Sequence, residues 1–272
     1  MMKGRVPALI LLMIMLALAA CTPGSRTGRA GRLITDYTGR NVLIPDTVRS
    51  VIALKSGTMR LLSYMGVTGR VSHIEGSEQR RNVPYLFANP DLRGLPVIGA
   101  GNNYDTELLA AAESDLIIAT FMSTQEADRL QRLTRKPVIL LDYGDLGDRR
   151  DALDGTLTLL GEIFGLPERA DSIISYFETT IAECVSRASR ATEPQRTAYV
   201  GGVAYNGAHG LTSTESDYPP FNMLSVKNVA NEPQLRNDRS EPGHGSGSLL
   251  LRYHCLRGSG GATHGQEGHR QR

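Results

Sequence analysis

Short apolar runs that alternate with helical stretches constrain this chain more than any other feature. Residues 50–54 read Ser-Val-Ile-Ala-Leu, 115–119 read Asp-Leu-Ile-Ile-Ala and 137–141 read Pro-Val-Ile-Leu-Leu, with a further run over 70–74. Helical patterning fills the intervals at 57–65, 105–112 and 125–134. A strand that is apolar at consecutive positions is buried on both faces, and the helices between strands supply that cover. The pattern therefore predicts a parallel sheet in an α/β lobe over residues 33–145. At its start, 33–37 and 42–44 flank Thr38-Gly39-Arg40 and predict a hairpin. Ligands of such sheets bind beyond the carboxyl ends of the strands. Those ends carry Lys55-Ser56-Gly57, residues 73–81, Thr120-Phe121-Met122 and Asp142-Tyr143-Gly144.

A long amphipathic stretch follows. Ala170, Ile173, Ile174, Phe177, Ile181, Cys184, Val185 and Ala188 recur at helical spacing, opposite Glu168, Arg169, Asp171, Glu178, Glu183 and Arg187. Pro167 suits the first turn, and Gly165 closes a preceding helical run over 150–164. At ~1.5 Å per residue the 168–189 helix spans roughly 33 Å, enough to cross a small domain. Periodicity alone leaves two readings of the helical region 149–190 open: an ordinary core helix, or a spine between two lobes. Beyond it, 196–202 restarts a strand, 219–224 is helical and leads to 228–231, so a second α/β lobe opens over residues 195–232.

Both ends depart from this patterning. Residues 1–20 combine Lys3 and Arg5 with an apolar run from 6 to 19, the form of a secretory signal too short for a membrane span. Leu18-Ala19-Ala20-Cys21 resembles the bacterial lipobox, which predicts that Cys21 is acylated and that residues 21–32 form a flexible tether. Several acyl chains on one residue anchor firmly, so the expected location is the periplasmic or cell-surface face of a membrane. From about residue 233 to 272 the chain lacks Ile, Val, Phe, Met and Lys and carries His244, His254, His264 and His269. Such a segment buries too little apolar surface to offset its ordering entropy, so this stretch is expected to be an aberrant, unstructured tail.

Composition excludes some classes of partner. A formal net charge of +2, with arginines interspersed rather than clustered, gives no basic surface for nucleic acid. The three cysteines, Cys21, Cys184 on the expected buried face of the long helix and Cys255, form no disulfide framework and no C-x-x-C site. Enzyme signatures are missing: there is no G-x-S-x-G elbow, no phosphate loop and no H-E-x-x-H, and Gly99-Ala-Gly101-Asn-Asn-Tyr104 lacks the third glycine of the dinucleotide fingerprint. With a membrane anchor this favours binding over catalysis, and no cofactor is expected. An extracytoplasmic α/β hydrolase using His209 with a nearby carboxylate remains the rival, as does a metal-binding lipoprotein acting through the histidine-rich tail.

Several motifs in order carry a resemblance. Asp36-Tyr-Thr-Gly-Arg40, Arg49-Ser-Val-Ile-Ala-Leu54, Leu95-Pro-Val-Ile-Gly99, Tyr104-Asp-Thr-Glu-Leu-Leu109, Ser114-Asp-Leu-Ile-Ile-Ala119 and Pro137-Val-Ile-Leu-Leu-Asp142 follow the lipobox. Together they resemble the periplasmic substrate-binding proteins of ABC importers for iron-siderophore and cobalamin ligands. The run from Tyr199 through Gly201-Gly202 to Pro219-Pro220-Phe221 is similar to the iron-complex transport branch. The resemblance implies a class III fold, two α/β lobes joined by a single rigid interdomain helix, here with the second lobe incomplete. It also implies ABC permease and ATPase subunits as partners and a metal chelate, such as a ferric siderophore, as ligand.

Anionic chelates call for cations, hydrogen-bonding groups and aromatic faces. Arg80 and Arg81 are the charged candidates in the first lobe, Ser56 and Gly57 precede a helix, and Tyr104 and Tyr143 lie at element ends. In the second lobe Tyr205, His209 and Tyr218 are the candidate ligand contacts, and Glu215 is the candidate acidic contact to a permease.

Overall fold

The computed structural model describes residues 31–100, 103–192, 196–203 and 214–231. The signal peptide, Cys21, Tyr205, His209 and the 233–272 tail lie outside the described residues. Two compact units divide inside the longest helix, the first Met1–Phe177 and the second Glu178–Arg272.

The first unit opens with a hairpin, β1 (Gly31–Thr35) and β2 (Asn41–Pro45), paired antiparallel with Leu33 opposite Leu43. Its turn is built by one carboxylate: Asp36 Oδ1 accepts from Thr38 N–H at 3.0 Å, Thr38 Oγ1 at 2.7 Å and Arg40 N–H at 3.1 Å. The hairpin runs as predicted, with β1 displaced toward the amino terminus.

Four parallel strands follow: β3 (Val51–Leu54), β4 (Val71–His73), β5 (Leu116–Ala119) and β6 (Val138–Leu140), in the spatial order β4-β3-β5-β6. Every residue of β3, β5 and β6 is buried, which is why their sequences show no polar alternation. Successive side chains serve opposite faces. Val51, Ala53, Leu116, Ile118 and Ile139 belong to one core cluster, and Ile52, Leu54, Ile117, Ala119, Val138 and Leu140 to another. The second cluster is roofed by Leu109 of α4 (Thr106–Ala111) and by Ala127 and Leu130 of α5 (Thr124–Thr134). The first is roofed by Met59, Leu61 and Leu62 of α1 (Thr58–Tyr64), and by Leu153, Leu157 and Leu160 of α6 (Arg150–Phe164). Edge strand β6 is capped by the hairpin turn, where Leu140 donates its N–H to Asp36 Oδ2 at 3.3 Å and Tyr37 N–H reaches the Leu140 carbonyl at 3.3 Å. That closes an otherwise open ladder.

The stretch between β4 and α4 departs from expectation. Sequence patterning gives no helix there, yet α2 (Gly76–Gln79), α3 (Pro84–Ala88) and a 3-10 segment, Pro90–Gly94, occupy it. Side chains distant in sequence hold it: Gln79 Nε2 donates to the carbonyls of Arg93 (2.8 Å) and Leu95 (3.0 Å), and Arg93 Nη1 returns to the Gln79 carbonyl at 3.0 Å.

Helix α7 (Pro167–Ser189) runs from the first unit into the second. Its first half is fixed to the first unit: Ala170 and Ile173 are buried, Phe177 meets Tyr64 edge-on at 5.8 Å, and Arg169 donates to the Tyr64 carbonyl at 2.8 and 3.0 Å. The apolar stripe continues, but its burial does not. Ile181, Cys184 and Ala188 are half-buried and Val185 is 47% exposed, which corrects the placement of Cys184 on a buried face. A repeat at helical spacing marks a face, whereas burial needs an element large enough to cover it.

In the second unit the expected strand over 196–202 is reduced to β7 (Thr197–Ala198), parallel to β8 (Lys227–Asn228), with α8 (Pro219–Met223) ahead of β8 and a 3-10 turn, Val229–Asn231, after it. Gly202 at φ 78° leaves the extended region, so the run does not continue as a strand through 202. None of the described helices is long and apolar enough to cross a membrane.

Candidate functional site

The sheet's connectivity singles out one place. From β3 the chain moves outward to β4, then returns to the other side of β3 for β5 and continues to β6. The winding direction reverses there, and connections leave the β3 and β5 carboxyl ends in opposite directions, opening a crevice between them. Hydroxyls stitch its floor. Thr120, just after β5, donates to the Ser56 carbonyl at 2.7 Å and lies 3.2 Å from the Thr58 hydroxyl, which itself donates to the Leu54 carbonyl at 2.6 Å. Lys55 (φ 68°) and Phe121 (φ 47°) stand in the left-handed region at the ends of these two strands. Non-glycine residues adopt that conformation at a cost and concentrate at functional sites.

Tyr143 packs over this loop. Gly57 has φ 87°, and a β-carbon there would overlap the Tyr143 ring, so only glycine admits the ring at that position. Phe121 lies 5.5 Å from the same ring, and the Arg60 guanidinium sits 4.1 Å from its centre. Burial, acting against the two nearby arginines, pushes the Tyr143 hydroxyl above its ordinary pKa, so it stays a neutral donor. From α2's end, Arg81 reaches the Ser56 hydroxyl at 3.5 Å and pairs with Glu78 at 3.1 Å. Glu78 is buried and also accepts from the Tyr85 hydroxyl, whose pKa is raised by burial and then by that carboxylate. Arg60 makes no ion pair among the described residues, and its Nε is buried without a hydrogen-bond partner. Two guanidiniums against one carboxylate leave the cluster cationic, with hydroxyls and ring faces beside it. Such a set is chemically suited to an anion carrying an unsaturated or apolar body.

A second group lies beside the first. Tyr104 donates to Glu126 at 2.6 Å, and Lys55 Nζ stands 3.7 Å from that carboxylate and 5.2 Å from the Tyr104 ring centre. Burial first, and then Glu126, raise the Tyr104 pKa. Arg80, Gln79, Gly99, Asn103 and Tyr104 line a shallow groove. Arg80 and Arg81, neighbours in sequence, therefore serve different places: α2 ends at Gln79, Arg80 caps it beside the groove, and Arg81, one residue further, reaches Ser56. Below lies Glu75, 3% exposed, accepting the Lys55 N–H at 3.0 Å, its pKa raised by burial to about 7. Among the described residues no group of three or more His, Cys, Asp or Glu side chains could hold a metal ion.

In the second unit, Tyr218 caps α8 and meets Phe221 edge-on at 5.2 Å. Glu215 is exposed, and its carbonyl accepts from Asn228 Nδ2 at 3.0 Å. Of the sequence candidates, then, Ser56, Arg81 and Tyr143 come together and Arg80 joins Tyr104. Sequence reasoning missed Arg60, Glu75, Glu78 and Tyr85. Arg60 had a signal: it stands three residues after Gly57 in the first turn of a helix leaving a strand end.

A sequence profile described as periplasmic binding protein matches residues 51–234, and the chain belongs to that family. The molybdate-binding protein MolA of Haemophilus influenzae is 21% identical over 162 residues, 53% of this chain and 46% of MolA. Its molybdate-bound structure superposes with a TM-score of 0.58, covering 73% of this chain and 66% of that one. A periplasmic solute binding protein from Veillonella parvula gives a TM-score of 0.62 at 18% identity, covering 82% of this chain and 64% of that one. The petrobactin-binding protein YclQ from Bacillus subtilis gives 0.54 at 14% identity, covering 73% and 67%. The chain thus spans about half the length of its curated relative and about two thirds of the structures. At these identities the superpositions speak for the fold alone.

Proposed function

We propose that this chain is the solute-binding component of an ABC importer, taking an anionic metal chelate of the ferric siderophore kind or an oxyanion, with no catalysis of its own. The observation that carries the proposal is the cationic, aromatic-faced cluster of Ser56, Arg60, Arg81 and Tyr143 at the switch point of the sheet. Arg60 supplies a charge that no carboxylate among the described residues pairs with, and Arg81 exchanges part of its contact with Glu78 for the ligand. Ser56 donates a hydrogen bond, while Tyr143 and Phe121 stack on the ligand body. Arg80 and Tyr104 extend the contact along the groove. Tyr205, His209 and Tyr218 are proposed as contacts from the second unit, Glu215 as a permease contact, and Cys21 as the acylated residue that holds the chain to the membrane. MolA and YclQ, named for molybdate and petrobactin, suggest which ligands to try first.

The test is a titration of the full chain with molybdate, ferric tris-catecholate and tris-hydroxamate siderophores, and haem. The chain has 10 tyrosines and no tryptophan, so its intrinsic emission is tyrosine emission, to which Tyr143 and Tyr104 contribute. One of these ligands is expected to bind, with Arg81→Ala weakening it by roughly ten- to a hundredfold, the worth of one charge-assisted hydrogen bond. Failure of every anion to bind, or full affinity in both Arg60→Ala and Arg81→Ala, contradicts the proposal.

A further inference from the structure

One buried group takes no part in that account. Glu75 follows β4 at its carboxyl end and is 3% exposed. Its Oε2 accepts the Lys55 N–H at 3.0 Å, whereas Oε1 is buried with no hydrogen-bond partner. The N–H it holds belongs to the residue at φ 68° that turns the chain into Ser56, and the Ser56 hydroxyl lies 3.5 Å from Arg81 Nη1. We propose, resting on the binding role argued above, that Glu75 is a proton-linked switch beneath the 55–57 loop, and that capture of an anion beside Ser56 and Arg81 takes up one proton at its carboxyl.

The charges around it are few. Lys55 from the end of β3 and Glu78 from its own helix act on it directly, and Tyr104 from the loop before α4 shares its field. Lys55 does not serve Glu75 alone, since its Nζ also lies 3.7 Å from Glu126 of α5. The ionised carboxyl is therefore stabilised by one N–H and part of one cation. When an anion enters, its charge acts on the carboxylate through a low-dielectric wall, and the ionised form becomes costlier. A solvent proton then adds to Oε1, the oxygen without a partner, while Oε2 keeps the Lys55 N–H and the loop keeps its shape. Charge balances: in chains whose Glu75 is ionised when empty a proton enters with the anion, and in chains that already hold the proton none does. Because burial brings the empty-state pKa to about 7, the exchange falls at neutral pH.

The sign follows from linkage. Proton uptake on binding means that affinity rises as pH falls from the higher, anion-bound value toward the empty-state value, and levels off below it, where both states are protonated. Calorimetry of the unaltered full chain with molybdate and with a gallium tris-catecholate complex, in two buffers of different ionisation enthalpy near neutral pH, reads the uptake directly. A fraction of a proton taken up per anion is expected, with Kd weakening about tenfold between roughly pH 6 and pH 8.5. The Lys55 amide resonance of the empty protein should titrate near pH 7, and Glu75→Gln should remove both pH dependences. Binding without proton uptake, or a Lys55 resonance that does not titrate, overturns the coupling and leaves the binding role standing. No binding of either anion at any pH contradicts the binding role, and the coupling with it. The first two measurements need no variant, so a misfolded Glu75→Gln chain does not decide the matter.

Discussion

Gly57 and Glu75 fix the site from opposite sides, and each predicts a measurable change. At Gly57 any side chain meets both φ 87° and the Tyr143 ring. Gly57→Ala should destabilise the chain by about 1–3 kcal/mol and displace Tyr143, read from the urea midpoint and from loss of the Tyr143–Phe121 ring contact by NMR. Unchanged stability would mean the ring packs elsewhere. Glu75 predicts a pH dependence. Its ordinary pKa is 4.5 and its folded one about 7, so between these values the native state holds a proton that the unfolded state has released. Its contribution to stability is therefore best below the lower value and falls as pH rises to the upper, by about 3 kcal/mol. Urea unfolding at about pH 5 and pH 8 should show that slope in the wild type and lose it in Glu75→Gln; an equal slope in both would assign it to other groups. At this scale the sequence was partly legible. Ser56 and Tyr143 were readable because they follow apolar strands closely, and Arg81 because it is a cation in the connection beyond a strand end, whereas Glu75 and Glu78 look like ordinary surface acids until the 76–95 segment folds over them.

Among the elements, legibility followed the length of each pattern. The apolar strands and α5, α6 and α7 were found because each repeats its signal over enough residues to define one face or two. The pieces α2 and α3 have no such repeat and are held by Gln79 and Arg93 across the chain, contacts that no local window contains. Caps were readable in principle: Ser123 accepts from the Glu126 N–H at 3.1 Å at the start of α5. Ser123→Ala should cost about 1 kcal/mol in thermal or urea unfolding. The two halves of α7 should respond differently. Ile173→Asp buries an unpaired charge against the first unit and should unfold it, while Val185→Asp, at a position 47% exposed, should change stability by less than about 0.5 kcal/mol. Comparable losses at both positions would contradict the burial pattern.

For the molecule as a whole, family and fold agree, and the first unit holds the elements that place the cluster. The proposed acylation of Cys21 makes its own prediction: Cys21→Ala should move the chain from the membrane fraction to the soluble one, and retention would contradict acylation at that residue. The central claim is that ligand meets the first unit at the β3–β5 switch point. Amide chemical-shift mapping with a diamagnetic anion, molybdate or a gallium siderophore complex, tests it most directly. The account predicts perturbations concentrated at residues 55–60, 78–81, 120–121 and 143. Saturable binding that leaves these resonances in place while shifting others in the first unit would contradict it.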